Sequence, residues 1–270
     1  MKLIAIDMDG TLLNSAGHIS AENRQGLEDF VRTFNGVIAV CSARPLVTLF
    51  RLLADQQVLH LVRYIAGFNG CQLFDNEENK IVFERLMTSV EVCDVNSGVN
   101  LNHYAHHFFT RNEIKHSNLS GISTYSHYEA NAFDLPLNCY PLAEIYSSSD
   151  IYKITVCGDA SSIPLFQQII SRQLPDGLSC MATGENYIDI QPSAIDKGSA
   201  IERIKANLKL ATDDVVAIGD QQNDLPMFKA AGTTIAMDNA VQMLKDRADM
   251  ITLHHDRHGV AHAIQRLLSR

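Results

Sequence analysis

The sequence lacks the long apolar segment and the basic patch that mark membrane and nucleic-acid-binding proteins. No run approaches the roughly 20 apolar residues of a membrane-spanning helix, and the apolar stretch before Asp7 is too short for a signal peptide. The 31 acidic residues outnumber the 22 basic ones, and the resulting net charge of −9 repels the nucleic-acid backbone. We therefore expect a soluble cytoplasmic protein, a monomer or small homo-oligomer, with no membrane or nucleic-acid partner.

Paired cysteines are absent as well. The six cysteines are scattered, and none belongs to a C-x-x-C motif. This usage indicates reduced thiols in the core rather than a disulfide or redox site. The histidines include two groups, which are His103, His106 and His107, and His254, His255 and His258. Neither group has a cysteine or glutamate at a standard zinc spacing, so we interpret them as polar surface and an exposed loop.

The two ends of the chain share a rhythm of short apolar strands and amphipathic helices. The runs 3–6, 37–41, 64–68 and 215–218 are typical of buried strands, and helical spacing of apolar residues follows several of them. This alternation favours a parallel sheet with helices on both faces. The middle is less regular and richer in Ser, Asn, His and Tyr. We predict an α/β core formed by residues 1–82 and 188–270, with an inserted α+β domain at 83–187.

Polar residues follow three of the predicted strands at their carboxyl ends. Asp7 to Thr11 follow the first, Ser42 to Arg44 the second, and Asp220 to Asp224 the strand at 215–218. Because ligands of open parallel sheets bind outside the carboxyl ends of the strands, these segments should meet at one edge. The sequence therefore predicts a single site built from distant parts of the chain.

The residue types at this edge suit phosphoryl transfer. Such a reaction needs a nucleophile, a proton donor for the leaving group and positive charge around the phosphate. Asp7 is the candidate nucleophile, and Asp9 is the candidate general acid and base. Gly10 lets the backbone approach the phosphate, and Thr11 fixes the loop.

Several carboxylates beside a phosphate would repel it, and a hard divalent cation removes this repulsion. Mg²⁺ prefers oxygen ligands and usually retains waters and a substrate phosphate oxygen. We expect the metal ligands to be Asp7 and Asp220, the carbonyl of Asp9, and Asp224 either directly or through water. Lys197, at the start of a predicted helix, and the Ser42 hydroxyl are expected to hold phosphate oxygens.

With these residues the chain resembles the haloacid dehalogenase superfamily, and more narrowly its Cof-type phosphatases with a C2 cap. Residues 7–13, D-M-D-G-T-L-L, match the first family motif, Ser42 the second, Lys197 the third, and 219–224 the fourth. The resemblance covers essentially the whole chain, with the insert at the place of the cap. It implies a Haloacid-dehalogenase-like Rossmannoid core and a Mg²⁺-dependent phosphatase for small phosphorylated metabolites, often sugar phosphates.

The resemblance also predicts which residues bind phosphate, and it shows where this chain differs from the common family residues. The expected phosphate-binding residues are Met8, Gly10, Thr11, Ser42, Ala43, Lys197 and Asn223. The acid at Asp9 disfavours dehalogenation, because dehalogenases of the family lack one there. The chain departs from common family residues at Ala43, Gln222, Asp238 and His258. None of these changes removes a catalytic group.

Alternatives remain at this stage. A phosphotransferase or phosphomutase would pass the phosphoryl group to a sugar hydroxyl, and a non-catalytic sensor would only bind the metabolite. Asn223 and Asp224 could cap the following helix, and Arg44 could stabilise the loop or contact substrate. Sugar phosphates, pyridoxal phosphate and flavin mononucleotide all remain possible substrates.

Overall fold

A computed structural model describes residues 1–117 and 122–269. By its internal contacts the chain divides into two units, Met1–Phe83 with Asp196–Arg270, and Glu84–Ile195. The strands are β1 Leu3–Ile6, β2 Val37–Cys41, β3 Val62–Gly67, β4 Gln72–Asp75, β5 Lys80–Glu84, β6 Ala105–Phe109, β7 Ile114–Ser117, β8 Leu137–Tyr140, β9 Lys153–Cys157, β10 Leu178–Ala182, β11 Tyr187–Pro192, β12 Val215–Gly219, β13 Thr233–Ala236 and β14 Met250–Ile251. The helices are α1 Ala21–Phe34, α2 Leu46–Asp55, α3 Ser89–Val99, α4 Thr124–Phe133, α5 Leu142–Ser147, α6 Ile163–Gln173, α7 Lys197–Leu208, α8 Leu225–Ala230, α9 Gln242–Lys245 and α10 Gly259–Leu268.

The first unit is built on an eight-stranded sheet in the order β14-β13-β12-β1-β2-β3-β4-β5. The strands from β14 to β3 are parallel, and β4 returns antiparallel to β3. β1, β2 and β12 are buried along their whole length, which explains their continuous apolar sequences. The predicted α/β fold with a parallel sheet is confirmed.

The register of the central strands brings their carboxyl ends level. Ile6 of β1 lies opposite Ile218 of β12 on one side and Val40 of β2 on the other. The polar residues that follow each strand therefore leave the sheet at the same edge, Asp7 in the middle and Asp220 beside it. This is the edge where the sequence predicted the site.

Helix α7 begins beside this edge because Asp196 caps it. The Asp196 carboxylate accepts a hydrogen bond from the Ser199 backbone N–H at 2.7 Å, and the Ser199 side chain is in turn bonded to the Asp196 backbone. Such reciprocal capping satisfies backbone groups that a helix start leaves free. It fixes Lys197 as the first residue of the helix, as the sequence predicted.

The second unit contains a six-stranded sheet in the order β10-β11-β9-β6-β7-β8. Apolar side chains on one face form its core, among them Phe108, Ile154 and Ile188. The other face is polar and also buried, and His107, Lys153 and Asp189 lie on it. The interpretation of His106 and His107 as polar surface is therefore wrong, since both side chains are almost fully enclosed.

Two predicted boundaries differ from the structure. The second unit ends at Ile195 rather than residue 187, because β11 runs to Pro192 and pairs with β9 and β10 of the smaller sheet. The third strand is Val62–Gly67 rather than 64–68, and a tight turn at Asn69 follows it. All six cysteines are free thiols, as expected, but Cys139 is exposed rather than in the core because it lies on β8, an edge strand. Across the described ranges, every helix is too short or too polar to cross a bilayer.

Candidate active site

Asp7 lies at the centre of the carboxyl edge of the parallel sheet, on a loop that is closed by backbone hydrogen bonds. Its N–H donates to the Ile218 carbonyl at 3.1 Å, which continues the pairing of β1 with β12. Its carbonyl accepts from the Leu12 N–H at 3.2 Å, and the Met8 carbonyl accepts from Leu13 at 2.9 Å. The Asp7 residue is only 5% exposed. The loop therefore presents a buried carboxylate at a fixed position.

Gly10 allows this loop to pass close to the neighbouring strand end. Its φ is +75°, in the left-handed region that suits glycine. A Cβ atom at this position would lie 2.5 Å from Oδ2 of Asp220. The glycine is therefore required both by the turn and by the carboxylate beside it.

The Lys197 ammonium group joins two carboxylates. Its Nζ donates to Oδ1 of Asp7 and to Oδ1 of Asp224, each at 2.6 Å. The side chain is 1% exposed, and those of Asp7 and Asp224 are 7% and 0% exposed. A buried charge needs such partners, because an unpaired one is costly to remove from water.

Asp224 and Thr11 hold the loop that follows β12. Oδ2 of Asp224 accepts from the backbone N–H groups of Asp220 and Gln221 at 2.8 and 3.0 Å. The Thr11 hydroxyl donates to Oδ1 of Asp220 at 2.9 Å. These bonds fix the Asp220 carboxylate beside the loop of Asp7.

The crowded carboxylates perturb one another. Burial raises the pKa of Asp7 well above its usual range, Lys197 lowers it, and the charges of Asp224, Asp220 and Asp9 raise it further. Burial, and then Asp224, raise the pKa of Asp220 to about 7, against the lowering effect of Thr11 and Lys197. Burial alone would lower the pKa of Lys197, but Asp224 and Asp7 raise it above its ordinary value. Perturbed groups of this kind are common at functional sites.

The donor set fits a hard cation. One carboxylate oxygen from each of Asp7, Asp220 and Asp224 lies within 4.8 Å of the others, and all three residues are buried. Burial is the main cause of the raised pKa values of Asp7 and Asp220, and the neighbouring carboxylates, whose charge a divalent ion would neutralise, raise them further. Both oxygens of Asp224 already accept hydrogen bonds, so direct coordination by Asp224 stays a prediction, as do the other ligand roles.

Asp9 has a different environment from Asp7. Its side chain is 53% exposed, and both oxygens accept hydrogen bonds from Arg44, whose Nε and Nη2 lie 2.7 and 2.6 Å away. Arg44 therefore holds the loop through Asp9 in this structure.

The other predicted phosphate-binding residues lie on the same loops. The buried Ser42 hydroxyl accepts from the Arg44 backbone N–H at 3.1 Å, with half-buried Ala43 between them. Asn223 donates from its side-chain amide to Oδ1 of Asn69 at 3.1 Å. The Met8 side chain is fully buried in the core, which leaves only its backbone available to a ligand.

Asn239 is a site residue that sequence reasoning did not assign. Its side-chain amide donates to the Gly10 carbonyl at 2.8 Å, and its Oδ1 accepts from the backbone N–H of His255 at 3.1 Å. A ring nitrogen of His255 lies 2.8 Å from the Leu13 carbonyl. A signal in the sequence was that Asn239 follows β13, the neighbour of β12 in the sheet. These contacts brace both ends of the loop that carries Asp7.

The fold and site define a class, the α/β proteins with carboxylates and one lysine at the carboxyl edge of a parallel sheet. Within that class, the chain belongs to the haloacid dehalogenase-like hydrolase family, whose family model matches residues 4–264.

Relatives and solved structures match along nearly the whole chain. The 5-amino-6-(5-phospho-D-ribitylamino)uracil phosphatase YwtE of Bacillus subtilis is 29% identical over 100% of this chain and 99% of its own. A haloacid dehalogenase-like hydrolase from Bacteroides thetaiotaomicron is 27% identical, with a TM-score of 0.82 over 98% of this chain and 99% of that one. The HAD subclass IIB sugar phosphatase BT4131 shares the fold, with a TM-score of 0.84 at 17% identity over 99% of each chain.

Proposed function

We propose that this protein is a Mg²⁺-dependent phosphatase that hydrolyses a small phosphate monoester through an aspartyl-phosphate on Asp7. The main support is the position of Lys197, 2.6 Å from both Asp7 and Asp224, in a buried cluster that also contains Asp220. An ammonium group and carboxylates at the carboxyl edge of a parallel sheet match the needs of phosphoryl transfer.

In the first step, a carboxylate oxygen of Asp7 attacks the phosphorus. A bond forms between that oxygen and phosphorus while the bond to the leaving alcohol oxygen breaks. Asp9 donates its proton to the leaving oxygen, so the product leaves as a neutral alcohol. Because Arg44 binds both oxygens of Asp9, this pair has to open or move as Asp9 reaches the leaving group.

In the second step, water attacks the phosphorus of the aspartyl-phosphate. Asp9, now ionised, accepts a proton from this water, and the Asp7 carboxylate leaves as inorganic phosphate forms. Lys197 stabilises negative charge on the transferring group in both steps. Mg²⁺, held by Asp7, Asp220 and the Asp9 carbonyl, would add further positive charge at the phosphate oxygens.

Support for a substrate class comes from the relatives rather than from this chain alone. YwtE is named for a phosphoribityl substrate and BT4131 for sugar phosphates. We therefore infer a phosphate ester of a sugar or sugar alcohol as the substrate.

The test is a phosphate-release screen over sugar phosphates, pyridoxal phosphate and flavin mononucleotide, with and without Mg²⁺. We expect release that depends on Mg²⁺ and is abolished by Asp7→Asn, whereas Asp246→Asn, at an exposed position, remains active. Near-normal turnover by the Asp7→Asn protein would refute the nucleophile. An isomerised sugar phosphate as product would identify a mutase, and binding without release would identify a sensor.

A further inference from the structure

Three side chains of types that can bind a metal also lie close together in the second unit, Glu84–Ile195. None of them belongs to the proposed active site. His107 lies on β6, Cys157 on β9 and Glu129 on α4. β6 and β9 are antiparallel neighbours in which Ala105 pairs with Cys157, and His107 pairs with Thr155. His107 and Cys157 are therefore diagonal neighbours on the polar face of the sheet.

These side chains are close enough to share one ion. A nitrogen of His107, an oxygen of Glu129 and the sulfur of Cys157 all lie within 4.8 Å of one another. Nδ1 of His107 is 3.7 Å from the Cys157 sulfur, and Nε2 is 2.7 Å from Oε2 of Glu129. An imidazole gives one nitrogen to one ion, so these two contacts cannot both be metal contacts, and Nε2 is the nitrogen that would bind. The three donors would have to close from within 4.8 Å to the roughly 3.3 to 3.6 Å that separates donors on a tetrahedral zinc ion.

Hydrogen bonding does not account for the contact between His107 and Glu129. Nε2 of His107 and Oε2 of Glu129 are 2.7 Å apart, which is within ion-pair distance. Among the described residues, neither Nε2 of His107 nor Oε2 of Glu129 has a hydrogen-bond partner. His107 is 0% and Glu129 6% exposed, and buried polar atoms without partners are rare in folded proteins. Both atoms therefore point at a place where a further partner would stabilise them.

The charges around the cluster also favour a cation. The nearby Lys153 ammonium group is already bound to Asp189 at 2.7 Å, so its charge is matched. A buried Glu129 carboxylate still needs a counter-charge, either an imidazolium on His107 or a metal ion. A divalent ion would balance the carboxylate and the thiolate together.

We propose that His107, Glu129 and Cys157 form a structural zinc site that ties α4 to β6 and β9. Sulfur, imidazole and carboxylate donors suit Zn²⁺ rather than Mg²⁺, which requires oxygen ligands. The Ser126 hydroxyl, 3.0 Å from Nδ1 of His107, would hold the ring so that Nε2 faces the ion.

The test measures metal content and cobalt spectra of the full chain without an affinity tag, kept in Mg²⁺ buffer. We expect one zinc ion per chain by mass spectrometry. After replacement with Co²⁺, a sulfur-to-cobalt charge-transfer band should appear in the near ultraviolet. The surface group His254, His255 and Asp256 contains no sulfur, so cobalt bound there gives no such band.

Variants separate this site from other thiols. Cys157→Ala should remove the band, whereas Cys180→Ala, on β10 of the same sheet, should retain it. Glu129→Gln, which keeps the size of the side chain, should weaken Co²⁺ binding about 10-fold or more. The cobalt spectrum of the native protein requires no variant, so it tests the proposal even if Cys157→Ala does not fold. A native protein that takes up no zinc, or a band that survives in Cys157→Ala, overturns the proposal.

Discussion

Replacing Lys197 with methionine tests the site by removing its buried positive charge. The change keeps an unbranched side chain that is one atom shorter, and it removes the ammonium group that donates to Asp7 and Asp224 at 2.6 Å. Removing one partner of a buried ion pair costs about 3 to 5 kcal/mol, because the remaining charge stays buried without a partner. Here two carboxylates lose the same cation, so we expect the upper part of this range in Mg²⁺-free buffer at pH 7.5.

The loss should shrink in acid. Burial already raises the pKa of Asp7, and removal of Lys197 removes an interaction that lowers it. Asp7 of the variant therefore takes up a proton more easily, which neutralises part of the unpaired charge. Urea unfolding at pH 5.5 and pH 7.5 measures the difference.

Activity and a matched control complete this test. We expect kcat of Lys197→Met to fall by about 10² to 10³, the usual effect of removing one group that stabilises transition-state charge. Lys205→Met is the control, because Lys205 lies on the same helix but pairs with the more exposed Glu202. Unchanged stability and activity in Lys197→Met, with normal folding, would refute the placement of this lysine between the carboxylates.

Three further predictions concern the metal site, the loop and Asp9. Because the pKa of Asp220 in the folded protein is raised to about 7, protons compete with Mg²⁺ below that pH. The Mg²⁺ affinity measured by calorimetry should therefore fall at least about 10-fold per pH unit, and a pH-independent affinity would contradict this. For the same reason, the metal-free protein should lose stability as the pH rises through 7. Gly10→Ala should lower the Mg²⁺ affinity measured by calorimetry, because the new Cβ would meet Asp220. Gly17→Ala is the control: its φ is +76° but the space around it is open, so it should show only a backbone strain of about 1 kcal/mol. Equal effects of the two changes would contradict the close approach of Gly10 to Asp220. Arg44→Met should leave kcat no lower than in the native protein, because it removes the pair that has to open before Asp9 reaches the leaving group. It should change the unfolding free energy by less than about 1 kcal/mol, as in the surface control Arg32→Met; a kcat lowered about 10-fold or more would contradict this and would show that Arg44 assists the reaction.

The central strands and their loops were predictable because local sequence dictates them. A fully apolar run such as Leu3–Ile6 can only be buried on both faces, and a parallel sheet aligns the polar residues that follow each strand. The start of α7 at Lys197 was predictable for a similar reason, since Asp196 is a favoured capping residue.

Contacts between distant side chains were not predictable. The bonds of Asn239 to Gly10 and of Arg44 to Asp9 depend on how loops approach after the sheet has formed, and no spacing encodes them. The buried face of the smaller sheet was missed for another reason. Its polar residues, such as His107, have the pattern of a solvated face, and pattern alone does not separate a buried polar face from an exposed one.

Chemical trapping of the enzyme during turnover is the most direct test of the covalent step. Acid quenching followed by borohydride reduction converts an aspartyl-phosphate to homoserine, which peptide mass spectrometry locates. We expect homoserine at position 7, only when substrate and Mg²⁺ are both present. Rapid phosphate release with unmodified Asp7, or with the modification on another carboxylate, would contradict the account.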